Sequence, residues 1–153
     1  DVDGDGELEI VITESEIGHA RLAILRPGSV GEPWQAEVIL DADLDLRALH
    51  SLQIADLDGD GHAEIFTAEM ENGKTDGVQA IPRWWCLAYE DQKWVYHILL
   101  DRNLGTHSAV VADYDGDGRL DIVGKLWRAN AVNGNEGRLH VDCLWNQGGR
   151  DIR

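Results

Sequence analysis

The chain has 153 residues, 29 of them Asp or Glu and 13 Lys or Arg, for a net charge of −16. That length is enough for one domain with a core of its own, and the acidic balance, without any basic stripe, argues against a nucleic-acid binder. Seventeen glycines against three prolines fit a turn-rich all-β chain, and no apolar run is long enough to span a membrane as a helix.

The first predicted element is an acidic turn, Asp1-Val-Asp3-Gly-Asp5-Gly-Glu7-Leu-Glu9. A β-branched run from Ile10 to Thr13 follows it and reads as a strand. The segment Trp34 to Asp41 (WQAEVILD) reads as another. The acidic turn returns at Asp56 to Glu64 and at Asp113 to Asp121, so its first aspartate recurs after 55 and then 57 residues. Other landmarks recur in phase: His50-Ser51 with His107-Ser108, WQAEVILD with WVYHILLD (Trp94 to Asp101), and Cys86-Leu87 with Cys143-Leu144. The repeat unit is predicted as strand A (about 50 to 56), the turn, strand B (63 to 70), strand C (84 to 90) and strand D (94 to 100). Self-similarity at this period is the mark of a repeat architecture such as a propeller, whose unit is a four-stranded sheet.

Each turn sets carboxylates at its first, third, fifth and ninth positions around glycines that let the backbone bend sharply. Four such groups in nine residues repel one another unless a cation sits among them. All-oxygen donors on a flexible loop suit Ca²⁺, whereas Mg²⁺ prefers a stricter octahedron and keeps its waters. The expected ligands are Asp1, Asp3, Asp5, Glu9 and the carbonyl of Glu7; Asp56, Asp58, Asp60, Glu64 and the carbonyl of His62; and Asp113, Asp115, Asp117, Asp121 and the carbonyl of Arg119. Up to three Ca²⁺ are expected, and they would bring the net charge from −16 to −10. The turn is not an EF-hand, because the glutamate required at position 12 is replaced by Ile12, Thr67 and Gly124, and the flanks read as strands.

The DxDGDG turn followed by a β-branched strand at this spacing resembles the FG-GAP/VCBS repeats of integrin α-like β-propellers. The form HSxxxAD(L/Y)DGDG with a downstream WxxHI segment (Trp94, His97, Ile98) is similar to repeats of secreted bacterial propeller proteins. The resemblance implies an all-β fold, a partial β-propeller of about three four-stranded antiparallel blades with Ca-binding hairpin loops. The expected divisions are blade 1 at about 1–46 (strand A missing), blade 2 at about 47–103 and blade 3 at about 104–153 (strand D missing). Such propellers usually close with about seven blades, so the reading expects a fragment whose open edges meet the rest of a propeller or self-associate.

Weak extracellular-type calcium sites fill only where calcium is abundant, which points to the cell exterior, cell surface or periplasm. Cys86 and Cys143 fall at equivalent places in neighbouring blades, too far apart for a disulfide, and are expected as free buried thiols. In such a propeller strand A lines the central channel. His50 and His107 therefore belong near its mouth, either as ligand contacts or as groups hydrogen-bonding between blades. Trp84, Trp85 and Trp127 border the variable B-to-C connections with Lys125 and Arg128, a set of aromatic faces and polar groups suited to a glycan or protein ligand. The function expected is a non-catalytic, calcium-stiffened module of a secreted or surface protein. The alternative is part of a polysaccharide lyase or other carbohydrate-active enzyme, with His107 as base and Lys125 or Arg128 neutralising a uronate.

Overall fold

Short β-branched and aromatic runs separated by Gly and Asp turns leave the chain with strands to pair and nothing long enough to coil. The computed structural model describes residues 1–70, 74–75, 78–79, 82–102, 104–127 and 138–148. Within them are twelve strands and one 3₁₀ turn: β1 (Ile10–Thr13), β2 (Leu22–Arg26), β3 (Gln35–Leu40), the turn Ala42–Leu44, β4 (Leu49–Ala55), β5 (Glu64–Glu69), β6 (Lys74–Thr75), β7 (Val78–Gln79), β8 (Trp84–Glu90), β9 (Lys93–Leu100), β10 (Ser108–Ala112), β11 (Asp121–Lys125) and β12 (Val141–Leu144). No α-helix is present among the described residues, and none is long and apolar enough to cross a membrane.

The strands form three antiparallel sheets in the orders β1-β2-β3, β4-β5-β8-β9 and β10-β11-β12, with β6 and β7 as a separate small hairpin. The acidic turn joins β4 to β5 and β10 to β11, and it precedes β1. The registers of the three sheets coincide: Ile10 faces Leu25, Ile65 faces Leu87 and Ile122 faces Leu144. One step further on, Val11 faces Ile24, Phe66 faces Cys86 and Val123 faces Cys143. The two cysteines are thus equivalent, and neither is in a disulfide. Cys86 is buried, whereas Cys143 is only half-buried, because the face it shares with Val123 belongs to an end sheet.

Two apolar layers hold the sheets together. Between the first and second lie Val2, Leu22, Ile24, Leu49, Ile65, Trp85 and Leu87, with Ile39 and Trp94 packed against them. Between the second and third lie Leu57, Phe66, Trp84, Cys86, Ala109 and Ile122, with Leu99, Leu100 and Leu144 packed against them. The second residue of each turn plugs the layer ahead of it and the tenth plugs the layer behind: Val2 shares a layer with Ile65, and Leu57 with Ile122. The outermost members of the two series have no sheet to meet. Ile10 is 48% exposed and Tyr114 45%.

Trp34 and Trp94 open equivalent strands but differ in burial, since Trp94 packs into the first layer while Trp34 is exposed on the outer side of the first sheet. Gly124 permits the closest approach in the second layer. A Cβ there would lie 2.6 Å from Cη2 of Trp84 and 2.8 Å from Oγ1 of Thr106.

Candidate functional site

Every acidic turn is built on the same backbone plan, set by its aspartates. The ninth-position carboxylate accepts the N–H of the second residue: Glu9 from Val2 at 2.9 Å, Glu64 from Leu57 at 2.7 Å and Asp121 from Tyr114 at 3.1 Å. The fifth-position carboxylate accepts the N–H of the seventh residue, Asp5 from Glu7, Asp60 from His62 and Asp117 from Arg119. In the second and third turns, the first aspartate gathers three amides, Asp56 from Gly59, Asp60 and Gly61, and Asp113 from Gly116, Asp117 and Gly118. The fourth and sixth residues of all three turns are glycines with positive φ, a backbone that side-chain-bearing residues rarely adopt.

This plan gathers one oxygen from each of three carboxylates within 4.8 Å of one another: Asp1, Asp3 and Asp5 in the first turn, Asp56, Asp58 and Glu64 in the second, and Asp113, Asp115 and Asp121 in the third. Burial pushes the Glu64 carboxyl up to about 7, and the Asp58 and Asp60 charges add to the rise. A hard divalent cation would relieve that repulsion, and the donor set is of the kind such an ion takes. Glu9, Asp60 and Asp117 are not members of these groups. The Arg119 side chain reaches back to the Asp117 carboxylate and donates from Nε to the Asn146 carbonyl at 2.8 Å.

The first turn departs from the other two. Arg26 on β2 donates to Asp3 Oδ2 from Nη2 at 2.8 Å, and the Asp1 amino group lies 3.6 Å from Glu9 Oε2. Sequence reasoning did not foresee the role of Arg26, which depends on how β2 pairs with β1.

At the other end of the strands, His50 stands near the start of β4 and His107 immediately before β10. Their rings stack with centroids 3.9 Å apart, and Trp127 lies 6.3 Å beyond His107, nearly parallel to it. His50 Nδ1 is 3.0 Å from the His107 carbonyl, which offers no proton, so Nδ1 is the donor. Nε2 of the same ring is 3.1 Å from Glu16 Oε1. The Ser51 hydroxyl donates to the Thr106 carbonyl at 3.4 Å. The first His-Ser pair therefore bonds between sheets, the plainer of the two roles expected for it. Lys125, opposite Ser108 in the β10–β11 pairing, is exposed at the same end, and its carbonyl accepts the His107 N–H.

Trp84 and Trp85 correct the sequence reading. They are 0% and 1% exposed, one in each apolar layer, so neither offers a face to a ligand. Alternation along β8 sends neighbouring residues to opposite faces, and both faces of this middle sheet are covered. Trp84 Nε1 donates to the Leu104 carbonyl at 2.7 Å. Of the expected ligand contacts, His50, His107, Trp127 and Lys125 come together, while Arg128 lies outside the described residues.

A charged group that sequence reasoning missed sits at this end between the first two sheets. Glu69, 1% exposed, accepts from the Arg47 and Arg83 amides and from Arg83 Nε at 2.7 Å, and Arg83 also lies 4.8 Å over the Trp85 ring. The only hint in the sequence was a glutamate closing the strand Glu64–Glu69, which a solvent-facing position would equally explain.

No curated protein and no solved structure matches the chain. Residues 1–67, which hold the first two acidic turns and the strands between them, match the family model of the FG-GAP-like repeat. That match is consistent with an FG-GAP/VCBS repeat protein.

Proposed function

We propose that the chain is a calcium-stiffened segment of a β-propeller from a secreted or cell-surface protein, displaying the end opposite its acidic turns to a glycan or protein ligand. The observation that carries the reading is the recurrence, at the same place in three successive sheets, of three carboxylate oxygens within 4.8 Å. FG-GAP repeats often bind Ca²⁺ and are typical of extracellular proteins, which agrees with this donor chemistry. Asp56, Asp58 and Glu64, with Asp60 beside them, would hold one ion; Asp113, Asp115 and Asp121, with Asp117, a second; and Asp1, Asp3 and Asp5, with Glu9, a third. The ion's part is structural: it offsets the clustered charge and fixes the turn, so that binding free energy becomes folding free energy.

The ligand end would be formed by His50, His107, Trp127 and Lys125. Trp127, 43% exposed, offers an aromatic face on which a sugar ring can stack, and the imidazoles and the lysine supply polar groups beside it. Calorimetric titration with Ca²⁺, paired with thermal melts in calcium and in chelator, tests the metal reading. Two or three binding events and a lower melting temperature in chelator are expected; no heat and identical melts would refute it. Retention on a glycan array by the parent but not by Trp127→Ala tests the ligand end, and equal retention by both would remove Trp127 from it.

A further inference from the structure

Asn146, two residues beyond the end of β12, bonds to both of the acidic turns that flank the second apolar layer. Its backbone N–H donates to Asp121 Oδ1 at 2.9 Å and its carbonyl accepts from Arg119 Nε at 2.8 Å, so its main chain is fixed to the third turn. Its side chain crosses to the second turn, where Nδ2 donates to the Leu57 carbonyl at 2.7 Å, with a longer contact of 3.3 Å to the Leu120 carbonyl. The surroundings set the orientation of this amide, because carbonyls can face only its donor end, while Oδ1 accepts the Gly148 N–H at 3.0 Å. Leu57 in turn donates its own N–H to Glu64 Oε2 at 2.7 Å. A chain of hydrogen bonds thus runs from Asp121, a member of the third carboxylate group, through Asn146 and Leu57 to Glu64, a member of the second. Both end carboxylates are buried, where such bonds are stronger than at the surface. Between the first and second turns the corresponding place belongs to Tyr89, by the shared register of Leu87 and Leu144, and its ring packs beside Trp94. Among the described residues no hydrogen bond joins Tyr89 to Val2, the counterpart of Leu57.

We infer that Asn146 couples cation binding at the second and third acidic turns, so that filling either one raises the affinity of the other. The inference rests on the calcium reading above and adds to it a residue that belongs to neither carboxylate group. To receive an ion, Asp56, Asp58 and Glu64 must each keep an oxygen at close quarters, and so must Asp113, Asp115 and Asp121. Asp121 held in place at the third turn holds the Asn146 N–H, the Asn146 side chain holds the Leu57 peptide, and the Leu57 N–H holds Glu64. Whichever turn is filled first bears the ordering of this shared chain, and the other is then filled at a lower cost in conformational freedom. By linkage the effect has the same size in both directions. Direct repulsion between two divalent ions has the opposite sign, so positive coupling is the mark of the relay.

The test is calorimetric titration of the whole chain with Ca²⁺, in a background of Asp5→Ala that removes the first turn from the count. Asp58→Ala disables the second turn and Asp115→Ala the third, and neither residue is part of the chain of bonds. The dissociation constant at the second turn is expected to rise about fivefold or more when the third is disabled, the low end for coupling between sites. The constant at the third turn is expected to rise by the same factor when the second is disabled. With Asn146→Ala added, each turn is expected to bind equally well whether or not the other is intact. A second readout leaves Asn146 in place: in Asp58→Ala, calcium is expected to slow hydrogen exchange at the Leu57 amide, across the layer from the turn that still binds. No slowing there overturns the relay even where Asn146→Ala does not fold. Constants indifferent to the other turn, or coupling undiminished by Asn146→Ala, overturn the proposal and leave calcium binding standing; no calcium heat in any of the proteins defeats both readings.

Discussion

Arg26 holds Asp3 through Nη2 at 2.8 Å, placing a fixed positive charge on the third residue of the first acidic turn. Asp3 Oδ1 still accepts the backbone N–H of Asp5, as Asp58 and Asp115 do from Asp60 and Asp117 in the other turns, so the arginine is what sets the first turn apart. A guanidinium this close competes with a cation for the same oxygen and repels it. The first turn should therefore be the weakest of the three proposed calcium sites. Arg26→Met, which keeps the apolar stem, should tighten that site by about 1 kcal/mol, near the low end for charges a few ångströms apart at a protein surface. Calorimetry resolves this as a roughly fivefold change in one dissociation constant, with the other sites unmoved.

Glu64 gives the pH dependence a definite sign. Its carboxyl is raised from 4.5 to about 7, chiefly by burial, so in metal-free protein the folded state holds a proton that the unfolded chain releases earlier. The associated stability is fully present below about 4.5 and is lost as pH rises through about 7. Melting temperature in chelator should accordingly fall between pH 5 and pH 8. Saturating calcium needs the ionised carboxylate and should reverse that slope. Melts in the two conditions check it, and parallel curves would contradict it.

Gly124 has no room for a side chain, because Trp84 occupies the space its Cβ would take. Gly124→Ala should cost about 2 kcal/mol as an overpacked core does, a fall of several degrees in melting temperature for a chain of this size. Trp84→Leu is itself destabilising but should shrink the penalty of the alanine in the double variant. A double-mutant cycle by denaturant unfolding measures that coupling.

Burial of the Glu69 carboxylate is matched by the arginine and amide donors around it. Glu69→Leu would strand the Arg83 charge in a partly buried site, with an expected loss of about 3 kcal/mol. Glu69→Gln, which keeps an acceptor, should lose less. Denaturant midpoints rank the three proteins.

The cysteines report on the seams between sheets. Burial, reinforced by the Glu64 and Asp58 charges, pushes the Cys86 thiol up to about 12, so it offers almost no thiolate at pH 8. Iodoacetamide should label Cys143 first and Cys86 only as the protein unfolds, as peptide mass spectrometry over a denaturant series would show.

The strands were legible because local chemistry set them. Strand C was expected from 84 to 90 and is Trp84–Glu90, and strand D was expected from 94 to 100 and is Lys93–Leu100. The acidic turns announced themselves through glycines that must take positive φ and through carboxylates too crowded to be incidental. What the sequence did not reveal depends on which sheet covers which face. Trp84 and Trp85 look like a solvent-exposed aromatic pair until the middle sheet is found to be covered on both sides. Arg26 and Glu16 act across sheet pairings that no local spacing encodes, and the inter-sheet carbonyl that His50 meets is visible only once β4 and β10 lie side by side.

One consequence follows from the bond between Glu64 Oε2 and the Leu57 amide. Glu64 belongs to the carboxylate group of its turn, and Leu57 is a stopper in the seam toward the third sheet. An ion that repositions this carboxylate tugs on the amide it holds, and through it on the grip between neighbouring sheets. Loading a turn would thereby tighten the joint beside it, so that calcium, if bound, would govern how firmly neighbouring sheets are held as well as the shape of each turn.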